Sequence, residues 1–119
     1  MSAINWNEAM EQVGGDMDFL YEVLQDLVNE TVSAKNEMTK AIAANDFEGI
    51  RQAGHRIKGS ASYLSCGALC EISKQLQDAG HDGVKDPSPA QMTKIKGYFE
   101  IFTKCLADLE KDIEQHKKK

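Results

Sequence analysis

A chain of 119 residues, 41% hydrophobic and 28% charged, fits one globular domain with a single core. A formal net charge of −5 argues against a nucleic-acid partner, because neutralising phosphates needs a basic surface. No apolar run approaches the roughly 20 residues that span a bilayer. Met1-Ser2-Ala3-Ile4-Asn5-Trp6 lacks the basic and apolar regions of a signal peptide. An intracellular, cytoplasmic or nuclear, protein with no membrane partner is expected.

Helical signals run along the whole chain. Asn5-Trp6-Asn7-Glu8 has a capping-box pattern and opens a short helix that stops at Gly14-Gly15. Asp16 can cap the next helix, which carries Phe19, Leu20, Val23, Leu24, Leu27, Thr31, Ala34, Met38 and Ala41 along one face. Asn45-Asp46-Phe47-Glu48 supplies another cap signal, followed by Phe47, Ile50, Ala53, Ile57, Ala61 and Leu64 at helical spacing. Ser65 can cap a fourth helix with the stripe Leu69, Ile72, Leu76 and Ala79, and Gly80 is placed for its C-terminus. His81 to Pro87 reads as a loop, with Gly83 and Pro87 as breakers.

Ser88-Pro89-Ala90-Gln91 then combines an N-cap serine, a proline at the first helical position and a capping-box glutamine. The stripe that follows, Met92, Ile95, Phe99, Phe102, Leu106, Leu109 and Ile113, has the 3-4 alternation of a seam packed against neighbouring helices. The Lys117-Lys118-Lys119 cluster suits a helix C-terminus. No strand pattern competes. The expected architecture is an all-α, up-down-up-down four-helix bundle with a short extra N-terminal helix, a single domain over residues 1–119.

One residue stands apart from this packing. At 100° per residue, His55 points roughly 155° away from the centre of the apolar face of its helix, so it has no packing duty. Lys58 and Ser62 flank it on the next turns, and Gly59 lies one turn along on the same polar side. A glycine inside a helix costs about 1 kcal/mol relative to alanine. An exposed histidine, a nearby cation and a missing side chain suit a group that another macromolecule approaches closely.

Other chemistries find little support. Cys66, Cys70 and Cys105 are odd in number, lack zinc-finger spacing and read as small buried thiols. His81 and His116 fall in the loop and the tail, so no metal site is expected. No nucleophile–base–orienter constellation and no glycine-rich phosphate loop can be read. Phosphoryl transfer through the imidazole fits better. Neutral imidazole is a competent nucleophile near neutral pH, and its phosphoryl adduct has a labile P–N bond. Lys58 would interact favourably with the added negative charge.

At these residues the sequence resembles a known family. His55-Arg56-Ile57-Lys58-Gly59-Ser60-Ala61 is similar to the H-x-[LI]-K-G-[SA]-[SA] signature of the histidine-containing phosphotransfer (HPt) family. The resemblance continues through Leu64, Gly67-Ala68-Leu69 and Leu76-Gln77, and Ile4-Asn5-Trp6 is similar to the first helix of fungal and plant-like standalone members. It implies a phosphorelay intermediate, not an autonomous kinase or phosphatase. His55 would be the phosphoacceptor, Lys58 an electrostatic aid and Gly59 the point of close approach. The implied partners are receiver domains of hybrid sensor histidine kinases and of response regulators. Mg²⁺ would sit on the receiver, with no cofactor on this chain, which is expected to be a monomer. A polar side chain on the following helix would bond the imidazole; Gln77 aligns there, while Gln75 lies at the opposite boundary of that helix. Ile4, Trp6 and Met10 are candidates for an apolar docking patch, with Trp6 as an aromatic anchor, unless Trp6 and Met10 merely cap the bundle. Ser62 shares the histidine face. Arg56, Tyr63 and Cys66 are bulkier or more polar than is usual in the family, and Arg56 could alter partner choice. The competing expectation is a helical interaction module with an inert His55.

Overall fold

The computed structural model describes residues 3–119; Met1 and Ser2, which open the stretch read above for targeting signals, lie outside the described residues. Five helices follow in order: α1 (Trp6–Gln12), α2 (Met17–Ala43), α3 (Phe47–Tyr63), α4 (Gly67–Lys85) and α5 (Pro89–Lys117). Four start where the cap signals lie. The side chains of Asn5, Asp16, Asp46 and Ser88 accept from the N–H groups of Glu8, Phe19, Gly49 and Gln91, each closing one otherwise open donor of a first turn. Between α1 and α2 the chain turns through Gly14 and Gly15 at φ 71° and 84°, a conformation that only glycine adopts freely.

Links of three residues force the long helices to alternate in direction. α2 packs on α3, α3 on α4, α4 on α5 and α5 back on α2, with α1 laid against α2. The four stripes meet inside this ring. Leu20, Leu24, Ile50, Ile57, Leu76, Ile95 and Phe102 are fully buried, so the expected bundle forms. α5 alone, at 29 residues and 1.5 Å of rise each, is about 43 Å long. It sets the 46 Å long axis of the molecule, against 22 and 21 Å across. No helix among the described residues is long and apolar enough to cross a membrane.

Several sequence expectations fail, and the failures cluster around α4. Its N-cap is Cys66, which offers no side-chain cap bond, while Ser65 takes φ 58° in the turn before it. The helix passes through Gly80 and His81 and ends at Lys85, so the loop shrinks to residues 86–88. Gly80 and Gly83 are buried contact points, not helix ends. A Cβ on Gly80 would lie 2.7 Å from the backbone nitrogen of Arg51, and one on Gly83 would enter the ring of Phe47. Gly54 repeats the arrangement from the α3 side, where a Cβ would lie 2.8 Å from Ser73 O and Gln77 N. The two helices thus touch backbone to backbone. Close approach is worth more here than helix propensity, since each added methyl would have to push two helices apart.

The two chain ends also depart from expectation. Phe19 is 45% exposed and not part of the core stripe. His116 lies in the last turns of α5, half-buried, and not in a tail. Its ring stacks on the Trp6 indole with centroids 3.7 Å apart, and its Nδ1 is 2.7 Å from the Tyr21 hydroxyl. Asp112, one turn earlier, accepts from the backbone N–H of Ile4 and from Trp6 Nε1. The Gln91 carboxamide oxygen is buried without a partner, so the reciprocal arm of the predicted capping box at α5 is not made.

Candidate functional site

α3 brings the predicted site together. Its apolar positions Ile50, Ala53, Ile57 and Ala61 are buried, and that fixes which side of the helix faces water. His55, Gly59 and Ser62 are exposed on that outer side, with Lys58 half-buried beside them. They follow one another at i, i+4 and i+7 and form a ridge along the helix. A Cβ on Gly59 would meet nothing within 4 Å, and its φ is not in the left-handed region. No turn or packing demand explains this glycine. The space above it is open.

Charges flank the ridge unequally. Arg56, the residue after the histidine, reaches across to α2, where it pairs with Glu37 and lies 3.9 Å from Glu30 Oε1. Ser60 Oγ donates to the other oxygen of Glu30 at 3.4 Å. The guanidinium is therefore held on the α2 side of His55. Lys58 joins none of the ion pairs among the described residues, and its carbonyl accepts a 3.6 Å bond from the Cys70 thiol of α4. Its ammonium is the cation left for an anion at the ridge.

On the α4 side, the two candidate glutamines separate. Gln75 donates to Glu71 on its own helix at 3.5 Å. The backbone of Gln77 lies directly against Gly54, the residue before His55, and its Oε1 is buried without a partner. Of the N-terminal candidates, Ile4 is 2% exposed and belongs to the core, so it offers no docking area. Trp6 and Met10 are half-buried against that core. Apolar area is exposed instead on Tyr63, 53% accessible and bonded through its hydroxyl to the Gln12 carbonyl, and on Phe19. Sequence reasoning singled out Tyr63 only for its bulk and put Phe19 in the core stripe. The one available signal was that adjacent Phe19 and Leu20 cannot both sit at the centre of a helical stripe.

A concavity of about 1240 Å³ lies beside the far end of the ridge. It opens between the N-terminal segment, the α3–α4 turn and α5, lined by Ser62, Cys66, Cys70, Cys105 and Asp112 among others, but not by His55. Burial, helped by the Asp112 and Cys70 charges, pushes the Cys66 thiol up to about 12, which leaves it a neutral packing group. Among the described residues, no group of three His, Cys, Asp or Glu side chains could hold a metal ion. The exposed histidine lines neither this concavity nor the shallower one beside Gln52 and Arg56, and an outward helix face suits a protein partner more than a pocketed small molecule.

Comparison with known proteins gives a consistent picture. The Hpt domain model matches residues 22–117, which takes in α3 with its histidine ridge and all of α4. The phosphorelay intermediate protein rdeA of Dictyostelium discoideum is 24% identical over 98 residues, 82% of this chain and 39% of that protein. The chain therefore spans about two fifths of that relative's length. The crystal structure of histidine-containing phosphotransfer protein B (HptB) from Pseudomonas aeruginosa PAO1 superposes with a TM-score of 0.68 at 17% identity, covering 95% of this chain and 96% of that one. A bundle whose second long helix turns one histidine outward, and a family match over most of its length, lead to one assignment: the chain belongs to the Hpt domain family.

Proposed function

We propose that the chain is a phosphorelay intermediate that receives a phosphoryl group on His55 from a receiver-domain aspartate and passes it to a second receiver. The observation that carries this reading is the exposed His55 beside an open Gly59 on the outward face of α3. A nitrogen of neutral imidazole attacks the phosphorus of an aspartyl phosphate, the N–P bond forms, and the P–O bond to the carboxylate breaks. The proton stays on the other ring nitrogen, and the reverse sequence returns the group to a second aspartate. Lys58 draws the phosphoryl oxygens, while Gly59 admits the partner's loops. The chain acts as a phosphocarrier; Mg²⁺ and the acidic pocket belong to the receiver.

Gln77 is the residue proposed to bond the imidazole, since its backbone abuts the histidine turn while Gln75 pairs with Glu71. Docking covers the ridge, Tyr63 at the end of α3 and the α1 residues Trp6 and Met10. Arg56, held by Glu30 and Glu37, contributes to partner choice at the α2 edge. A cytoplasmic setting suits this role.

Incubation with a phosphorylated receiver domain tests the reading. An acid-labile, base-stable phosphate should form on this chain and be absent in His55→Gln, whose stability should change by no more than about 0.5 kcal/mol at an exposed site. Label on His55→Gln, or none on the wild type, would refute it and leave an interaction module with an inert histidine.

A further inference from the structure

Three buried polar atoms among the described residues have no hydrogen-bond partner: Ser73 Oγ, Gln77 Oε1 and Gln91 Oε1. The first two belong together. Residues i and i+4 of a helix share a face, so Ser73 and Gln77 stand one above the other on α4. Both border the same turn of α3, because a Cβ on Gly54 would lie 2.8 Å from Ser73 O and from Gln77 N.

Ser73 is fully buried, and its hydroxyl departs from the habit of this chain. Thr31, the other fully buried hydroxyl residue among the described residues, donates to the carbonyl one turn back, Leu27 O, at 2.7 Å. Thr39, Thr93 and Thr103 do the same on Lys35, Pro89 and Phe99. Ser73 makes no such bond, so its proton remains available. A buried donor without an acceptor is costly, as is a buried acceptor without a donor. One turn apart, each is the other's remedy.

Ser73 Oγ and Gln77 Oε1 do not bond in the rotamers of this structure. We propose that Ser73 is a positioning residue for His55: a turn of the Gln77 side chain back along α4 brings its Oε1 to the Ser73 Oγ–H, which donates to it and holds that oxygen toward the imidazole. The inference rests on the reading above that Gln77 meets His55. An amide oxygen has two lone pairs, so one accepts from Ser73 and the other from a ring N–H of the histidine. A glutamine amide with its O and NH₂ exchanged has nearly the same shape, and only its hydrogen bonds decide between the two orientations. The exchanged form would present a donor to the imidazole. It would occupy a ring lone pair and send the proton to the outward nitrogen, where the phosphorus must be attacked. Ser73 therefore favours the tautomer whose outward nitrogen keeps its lone pair. No bond to phosphorus is made or broken by Ser73 or Gln77.

The test uses the full chain and two readouts. In Ser73→Ala the small volume is kept, so the melting temperature should stay near that of the wild type. Nitrogen-15 NMR of the unphosphorylated protein should show the His55 tautomer balance shifting toward a protonated outward nitrogen. Transfer from a phosphorylated receiver should fall about fivefold, as expected for the loss of one ordinary hydrogen bond. Gln77→Ala should shift the tautomer in the same direction, and adding Ser73→Ala to it should change nothing further, because the two act as one unit. A wild-type tautomer balance in Ser73→Ala, or additive effects in the double variant, would reduce Ser73 to a spacer between helices. The NMR arm needs no phosphoryl transfer. A wild-type chain that accepts no phosphate would thus sink the functional reading, while the tautomer shift would still decide the role of Ser73.

Discussion

Substituting Gly59 by alanine or glutamine should raise stability while lowering transfer, and the local geometry gives the size of the first effect. Gly59 is interior to α3, its φ is not in the left-handed region, and an added Cβ would meet nothing within 4 Å. No packing loss then offsets the helix-propensity gain, which is about 1 kcal/mol for alanine. Glutamine, a somewhat weaker helix former, should gain about 0.5 kcal/mol. With an unfolding entropy near 2.1 cal/mol/K per residue, these gains raise Tm by about 4 °C and about 2 °C in a chain of this length. Transfer should move the other way. A glutamine side chain would fill the space above the ridge beside His55, where a receiver must come close. Thermal melts followed by circular dichroism, with initial transfer rates from a phosphorylated receiver, measure both quantities on the same samples. Alanine should slow transfer mildly and glutamine sharply. A lower Tm in either variant, or wild-type transfer in Gly59→Gln, would refute the claim that this glycine exists for close approach.

Three further outcomes are expected. Lys58→Ala should slow transfer without abolishing it, and the defect should shrink as salt rises, because a half-exposed ammonium adds only a screened attraction; an unchanged rate at low salt would remove Lys58 from the mechanism. Gly80→Ala should do the reverse of Gly59→Ala and destabilise the fold by about 1–3 kcal/mol, since its methyl would press on the backbone of α3; chemical denaturation measures this, and a stabilised variant would mean that α3 and α4 do not touch there. The raised Cys66 pKa means that the folded chain keeps a proton the unfolded chain releases. Its contribution is therefore fully present below about pH 9 and is lost as pH rises toward about 12. Urea melts at about pH 8 and about pH 10 should show a smaller loss in Cys66→Ala than in wild type, and equal losses would contradict the burial of this thiol.

What could be read in the sequence was local or periodic. Asn5, Asp16, Asp46 and Ser88 announce helix starts because a cap bond spans three residues and needs no distant partner. The outward turn of His55 follows from the phase of Ile50, Ala53, Ile57 and Ala61 alone. What failed depends on the neighbouring helix. Gly80 and Gly83 look like helix ends by propensity, yet they are spacers whose purpose is visible only when Arg51 and Phe47 lie opposite. Gly54 carried no sequence signal for the same reason. His116 was read as a tail because its partners, Trp6 and Tyr21, lie at the other end of the chain. The proposed preference for Gln77 over Gln75 likewise rests on the contact with Gly54, which no helical wheel contains.

The bonds from Ile4 and Trp6 to Asp112 join residues 108 and 106 positions apart, and Tyr21 meets His116 across 95. During synthesis the N-terminal segment emerges first, but these partners do not exist until α5 is almost complete. At 5–20 residues per second, Trp6 waits roughly 5–20 s for its stacking partner. The ring of long helices can begin to assemble through neighbours in sequence, and α1 can meet α2 and Tyr63 early, while the start of α1 gains its α5 partners last. A nascent chain carrying α2 to α4 should therefore expose the Trp6 indole to solvent, and its fluorescence should shift to the blue only as the final turns of α5 leave the exit tunnel. Docking of α1 then reports completion of the bundle.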